Sequence, residues 1–152
     1  MNKGVVMFKT DGNEYIAQVT EGDFGYDDNF EGFIVTTNKR RISIGISKGQ
    51  SCCEVTGYFM SEDDPKSFVG KRLVKVEVVD TLLNKSQVGQ LEYLDHGGVM
   101  FVNFWVEDDC LQFVCYNAHN GYYGHEAVVM VSKEGDPEEL RSDPEEAHSV
   151  YV

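Results

Sequence analysis

Short runs of strand length, each bounded by turn residues, fill most of this chain and leave no stretch with sustained helical periodicity. Ile42, Ile44 and Ile46 alternate with Arg41, Ser43 and Gly45, the two-residue period of a half-buried strand. Across Asn38-Lys39 this run faces Gly32 to Thr37, which predicts a hairpin. Asp11-Gly12 stands in the same relation to Gly4–Lys9 and Glu14–Val19, and predicts another. Val99–Val106 and Leu111–Tyr116 are apolar almost throughout, follow Gly97-Gly98, and are joined through Glu107-Asp108-Asp109. Such runs suit neighbouring central strands covered on both faces, with Phe101, Phe104, Trp105 and Phe113 as core candidates. Ala127–Ser132 follows as a third strand, which would complete an antiparallel meander.

Elsewhere the signals are weaker. Leu73–Val79 reads as a strand whose buried face carries Val74, Val76 and Val78. Ser51–Val55 reads as a strand end, and the acidic, aromatic segment Glu21–Glu31 as a loop. Ser61 or Asp63 can cap a short helix that takes Pro65 in its first turn, runs through Phe68 and ends at Gly70. The expected fold is mainly β (α+β), built of antiparallel hairpins with one or two short helices. Residues 1–132 form a single domain in this reading, and 133–152 an acidic, partly disordered tail with one short helix from Pro137 to Arg141.

Charge bounds the function. Twenty-six acidic against 13 basic residues give a formal net charge of −13, which repels phosphate backbones and argues against direct nucleic-acid binding. The basic cluster Lys39-Arg40-Arg41 falls in a hairpin turn and reads as a solvated turn that blunts a strand edge. No apolar run is long enough to span a membrane and no secretory signal is visible, so a cytoplasmic protein is expected. Four cysteines, at 52, 53, 110 and 115, do not make a disulfide scaffold in a 152-residue chain. Cys52 and Cys53 would face opposite ways in a strand, and neither pairs with His119 or His125 at a metal-ligand spacing, so no metal and no cofactor is expected.

The run Tyr116-Asn117-Ala118-His119-Asn120-Gly121-Tyr122-Tyr123-Gly124-His125-Glu126 carries more chemistry than a turn needs, since Asn120-Gly121 alone supplies the positive φ. Alternation along a strand would place Tyr116, Ala118 and Tyr122 in a core with the histidines solvated. Read as a pocket wall, it offers the ring faces of Tyr122 and Tyr123 for stacking, and Asn117, His119, Asn120 and His125 for a ligand's polar edge. Glu54, in Ser51-Cys52-Cys53-Glu54, adds an acceptor. The paired carboxylates Asp27-Asp28, Asp63-Asp64 and Asp108-Asp109 read as solvated turns or caps, or else as an acidic surface for a basic partner.

Taken in order, Cys52-Cys53-Glu54, the acidic loop after it, Phe68-Val69-Gly70-Lys71 before a strand, and Asn120-Gly121-Tyr122-Tyr123 resemble an uncharacterised domain family of bacteriophages and bacteria, over about Gly32 to Ser132. Gly124-His125 departs from members that carry Ser after the second Tyr. The resemblance implies a phage accessory protein, non-enzymatic, that modulates or evades host defence. It would bind a small, nucleotide-derived ligand or a host protein segment in the pocket described. Two alternatives stand beside it: an acidic inhibitor that masks a basic nucleic-acid-binding host enzyme, and a hydrolase that uses Cys52 or Cys53 with His119 or His125, with or without a metal. Exposed strand edges offer a route to a homodimer.

Overall fold

The computed structural model describes residues 4–49, 56–62, 64–79, 98–117, 125–135 and 146–152. Among these residues ten strands run in chain order: β1 (Val5–Lys9), β2 (Ile16–Phe24), β3 (Phe30–Thr37), β4 (Arg41–Ser47), β5 (Thr56–Met60), β6 (Leu73–Val79), β7 (Gly98–Val106), β8 (Cys110–Asn117), β9 (Glu126–Val131) and β10 (Glu146–Tyr151). They form two antiparallel sheets with strand orders β1-β6-β7-β8-β5 and β10-β9-β4-β3-β2. The mainly β, antiparallel fold read from the sequence is the fold found. Its short helices, among the described residues, are two 3-10 turns at Tyr26–Asp28 and Pro65–Phe68.

One core lies between the sheets. Val76, Met100, Val102, Phe104, Leu111, Phe113 and Cys115 face it from the first sheet, and Phe33, Val35, Ile42, Ile44, Ile46, Val129 and Val131 from the second. Phe113 sits at its centre, with ring centroids 5.1 Å from both Phe33 across the gap and Phe104 on the neighbouring strand. The β7–β8 hairpin pairs from Gly98↔Asn117 to Trp105↔Cys110, as its apolar runs predict. Phe101, Phe104 and Phe113 are buried, while Trp105 is half-buried and donates its indole N–H to Glu77 Oε1 at 2.7 Å.

The structure corrects several local readings. Asp11-Gly12 does not close a hairpin, because β1 pairs with β6 in one sheet and β2 with β3 in the other. A turn dipeptide encodes a bend and says nothing of which strand the chain meets next. Ala127–Ser132 is likewise no third strand of a meander, since β8 finds its second neighbour in β5 and β9 pairs with β4 and β10. Most of Glu21–Glu31 is strand rather than loop, with only 25–29 turning between β2 and β3. As a sheet edge largely open to water, β2 carries no apolar alternation to mark it. On β6 a register shift between Leu73 and Lys75 buries Leu73 and leaves Val74 exposed at 43%, so the valine face is not continuous.

The Pro65–Phe68 turn is capped by Asp64, whose side chain accepts from the Lys66 N–H at 2.9 Å, rather than by Ser61; Asp63 lies outside the described residues. In the stretch that composition marks as a tail, Glu146–Tyr151 forms β10 and pairs along its whole length with β9. Its acidic, mostly exposed pattern concealed a strand that buries little. Ser51–Val55 and the helix expected at Pro137–Arg141 lie outside the described residues.

Candidate functional site

Two ends of the sandwich carry polar chemistry. At one, His125 and Asn117 meet the residue after β10. Val152 O accepts from the His125 N–H at 3.1 Å and from Asn117 Nδ2 at 3.3 Å, and the Val152 N–H returns a bond to His125 O at 2.8 Å. Gly98 makes this possible, because a Cβ there would fall 2.6 Å from Val152 Cα. His125 Nδ1 lies 3.2 Å from Ser47 Oγ and 3.3 Å from Ser47 O, and Ser47 Oγ accepts the Glu126 N–H at 3.2 Å. The structure thus brings together two of the sequence-derived ligand residues, both buried, in a clasp that joins the sheets. Glu54, His119, Asn120, Tyr122 and Tyr123 lie outside the described residues. Thr56, two positions after Glu54, pairs with Asn117, two positions before His119.

At the other end a cleft opens. Its foundation is Glu14, 1% exposed, which receives Arg40 Nε and Nη2 at 3.0 Å each and the Thr37 hydroxyl at 2.6 Å. The guanidinium lies 4.0 Å over the Phe8 ring, so one ion pair ties β1, the β1–β2 connection and the β3–β4 turn. Lys39 bonds Asp11 at 3.0 Å and reaches Glu134 at 3.6 Å. Of Lys39-Arg40-Arg41, Arg40 therefore holds the fold through a buried pair, while Lys39 pairs at the surface. Next to Glu14, Tyr15 is fixed by its N–H to Asn38 Oδ1 at 2.9 Å and by a bridge to Arg72.

Tyr15, Gly70, Lys71, Arg72, Glu107 and Asp108 line a cleft of about 420 Å³. The backbone on one side is clamped: Gly70 N–H bonds Ile16 O at 2.7 Å, Ile16 N–H bonds Lys71 O at 3.0 Å, and Leu73 N–H bonds Glu14 O at 2.8 Å. The other wall is the tip of the β7–β8 turn, met by Arg72–Glu107 at 3.0 Å and Lys71–Asp108 at 3.6 Å. Sequence reading missed Tyr15, Lys71 and Arg72. Gly70, with φ +88°, followed by two cations was the local signal; the pairing Leu73↔Val106 that carries them to Glu107 is not local.

The carboxylates proposed as an acidic surface separate. Asp64 caps a 3-10 turn, Asp108 meets Lys71, and Asp109 accepts the Cys110 N–H at 2.7 Å, all at the cleft end. Asp27 and Asp28, with left-handed φ of 53° and 52°, lie past the far end of β2. Nine strand residues at a rise of ~3.3 Å put them roughly 27 Å away. Cys110 and Cys115 are buried, and burial pushes the Cys115 thiol up to about 12, far from the thiolate a nucleophile needs. Burial, then the Glu21 carboxylate bonded to its hydroxyl at 3.1 Å, push the half-buried Tyr58 phenol up to about 12. Among the described residues no three His, Cys, Asp or Glu side chains are grouped to hold a metal ion, and no helix is long and apolar enough to cross a membrane.

One family model matches residues 5–129, from the first residue of β1 into β9. The chain belongs to the DUF7448 family, a domain of unknown function. No curated sequence and no solved structure matches it significantly. The DUF7448 match takes in every cleft residue together with Asn117 and His125, and stops short of β10. Val152, which fills the clasp, is therefore outside the part of the chain that the DUF7448 domain defines.

Proposed function

We propose that this chain is a non-enzymatic recognition module that binds a small ligand in the cleft between Tyr15 and the β7–β8 turn. The observation that supports this reading is the cleft's construction: about 420 Å³, within the usual range of small-molecule sites, with one wall fixed by backbone bonds and the other held by exposed ion pairs. The resemblance to phage and bacterial domains supplies the setting, an accessory protein that modulates or evades host defence. The clasp end, built on Asn117 and His125, is the competing position for the same ligand.

Thermal denaturation of the full chain against a panel of nucleotide metabolites tests the reading. A ligand at a hundredfold excess over its Kd adds about 2.7 kcal/mol, a rise of roughly 5–10 °C for a chain of this length. Arg72→Gln should remove the shift and Asn117→Ala should leave it. The reverse pattern moves the ligand to the clasp end, and a panel without any stabilising compound overturns small-ligand recognition.

A further inference from the structure

The cleft's four charges are unequal in how firmly they are held. Lys71 and Arg72 stand on the clamped wall; the Arg72 side chain is 60% exposed, whereas the Lys71 ammonium, on a side chain 35% exposed, lies 5.0 Å from the Phe68 ring centroid and is the most sheltered of the four. Glu107 and Asp108 stand on the turn tip, 59% and 78% exposed. Ion pairs this exposed contribute little, so an entering anion can take over the two cations while both carboxylates swing into water with little loss. An entering cation would have to displace the Lys71 ammonium from both Asp108 and the Phe68 ring. The asymmetry favours an anionic ligand. Arginine and lysine side by side suit a phosphate, one by its forked donors and the other as a point charge.

Tyr15 completes the chemistry. It lines the cleft, is 47% exposed, and its backbone is fixed on both sides, so its ring is a face on which a planar group can stack. The surrounding charge of −13 works against long polyanions and leaves room for a small one. We infer, resting on the reading that the cleft holds a small ligand, that this ligand is an aromatic ring joined to a single phosphate: the phosphate on Lys71 and Arg72, the ring against Tyr15, Glu107 and Asp108 turned aside. A nucleoside monophosphate and a simple aryl phosphate share this chemistry.

Calorimetric titration of the full chain at low ionic strength with adenosine monophosphate, phenyl phosphate, inorganic phosphate and adenosine distinguishes the sources. Both aromatic phosphates should bind at least about tenfold more tightly than phosphate or adenosine, because each of the latter keeps half of the contacts. If only adenosine monophosphate does so, the ligand is a nucleotide; if both do, the ring alone is read. Arg72→Gln should weaken both by about tenfold. Tyr15→Ala should weaken the aromatic phosphates and leave inorganic phosphate unchanged. Glu107→Gln combined with Asp108→Asn should tighten all three phosphates, since the competing carboxylates are gone. Adenosine binding as tightly as its monophosphate, or a loss of affinity in the Glu107→Gln, Asp108→Asn variant, overturns the anion assignment while small-ligand recognition stands. If all four probes fail to bind, the assignment falls as well, and the wider metabolite panel decides separately whether the cleft is a site.

Discussion

Glu14 is tolerated at 1% exposure because its acceptors are occupied, by two bonds from Arg40 and one from Thr37. A carboxylate this inaccessible contributes little if it is traded together with its partner for apolar groups, but removing one member strands the other. Glu14→Ala should therefore destabilise the protein by about 3–5 kcal/mol, with Glu14→Gln costing less because the amide can still accept a bond. Urea unfolding followed by Trp105 fluorescence measures both. A cost for Glu14→Ala near that of a surface pair, below about 1 kcal/mol, would show that the pair does not hold the β1–β2 connection. In the sequence the same arginine looked like part of a basic turn. Nothing within a few residues of Arg40 marks Glu14 as its partner, 26 positions upstream.

At the scale of elements, β3 and β4 approach each other where two glycines are cross-strand partners, Gly32↔Gly45. A Cβ on Gly32 would land on the carbonyl oxygen of Ile44 and 2.6 Å from Gly45 Cα, backbone atoms that cannot step aside. Gly32→Ala should thus prise the central pair of the second sheet apart and cost about 2–4 kcal/mol, by the overpacking route. Gly22→Ala, on the same row, meets nothing nearer than Ile34 Cδ1 at 3.6 Å and should stay within about 0.5 kcal/mol of wild type. Equal effects in chemical denaturation would rule out the close approach as the reason for glycine at position 32. The hairpins β3–β4 and β7–β8 were legible because alternation and turn residues lie within one short window. The start of β2 was read within Glu14–Val19, but its continuation to Phe24 and the whole of β10 were not, since an edge exposed on most of its length has no period to read. The cleft was illegible for a related reason: Tyr15, Lys71 and Glu107 come from three separate parts of the chain.

Among the described strands of the molecule the chain changes sheet three times, from β1 to β2, from β4 to β5 and from β8 to β9. Each sheet therefore joins a locally formed unit, the β2-β3-β4 ribbon or the β7–β8 hairpin, to strands recruited from farther along the chain, as in Val5↔Val78 and Ile44↔Val129. The β2-β3-β4 ribbon and the β7–β8 hairpin need only short loop closures, whereas the distant pairings must overcome the entropy of closing much longer ones before any of their contacts form. Refolding should accordingly take milliseconds to seconds, the regime of β-sandwiches, with the pairing of distant strands such as β4 and β9 setting the rate and β10 docking afterwards. Stopped-flow chevrons make this concrete: Ile44→Val on β4 should slow folding, while Val150→Ala on β10 should leave the folding limb in place and steepen escape from the native state. A strand that joins last also leaves first, so the clasp closed by Val152 is the part of the fold where unfolding is expected to begin.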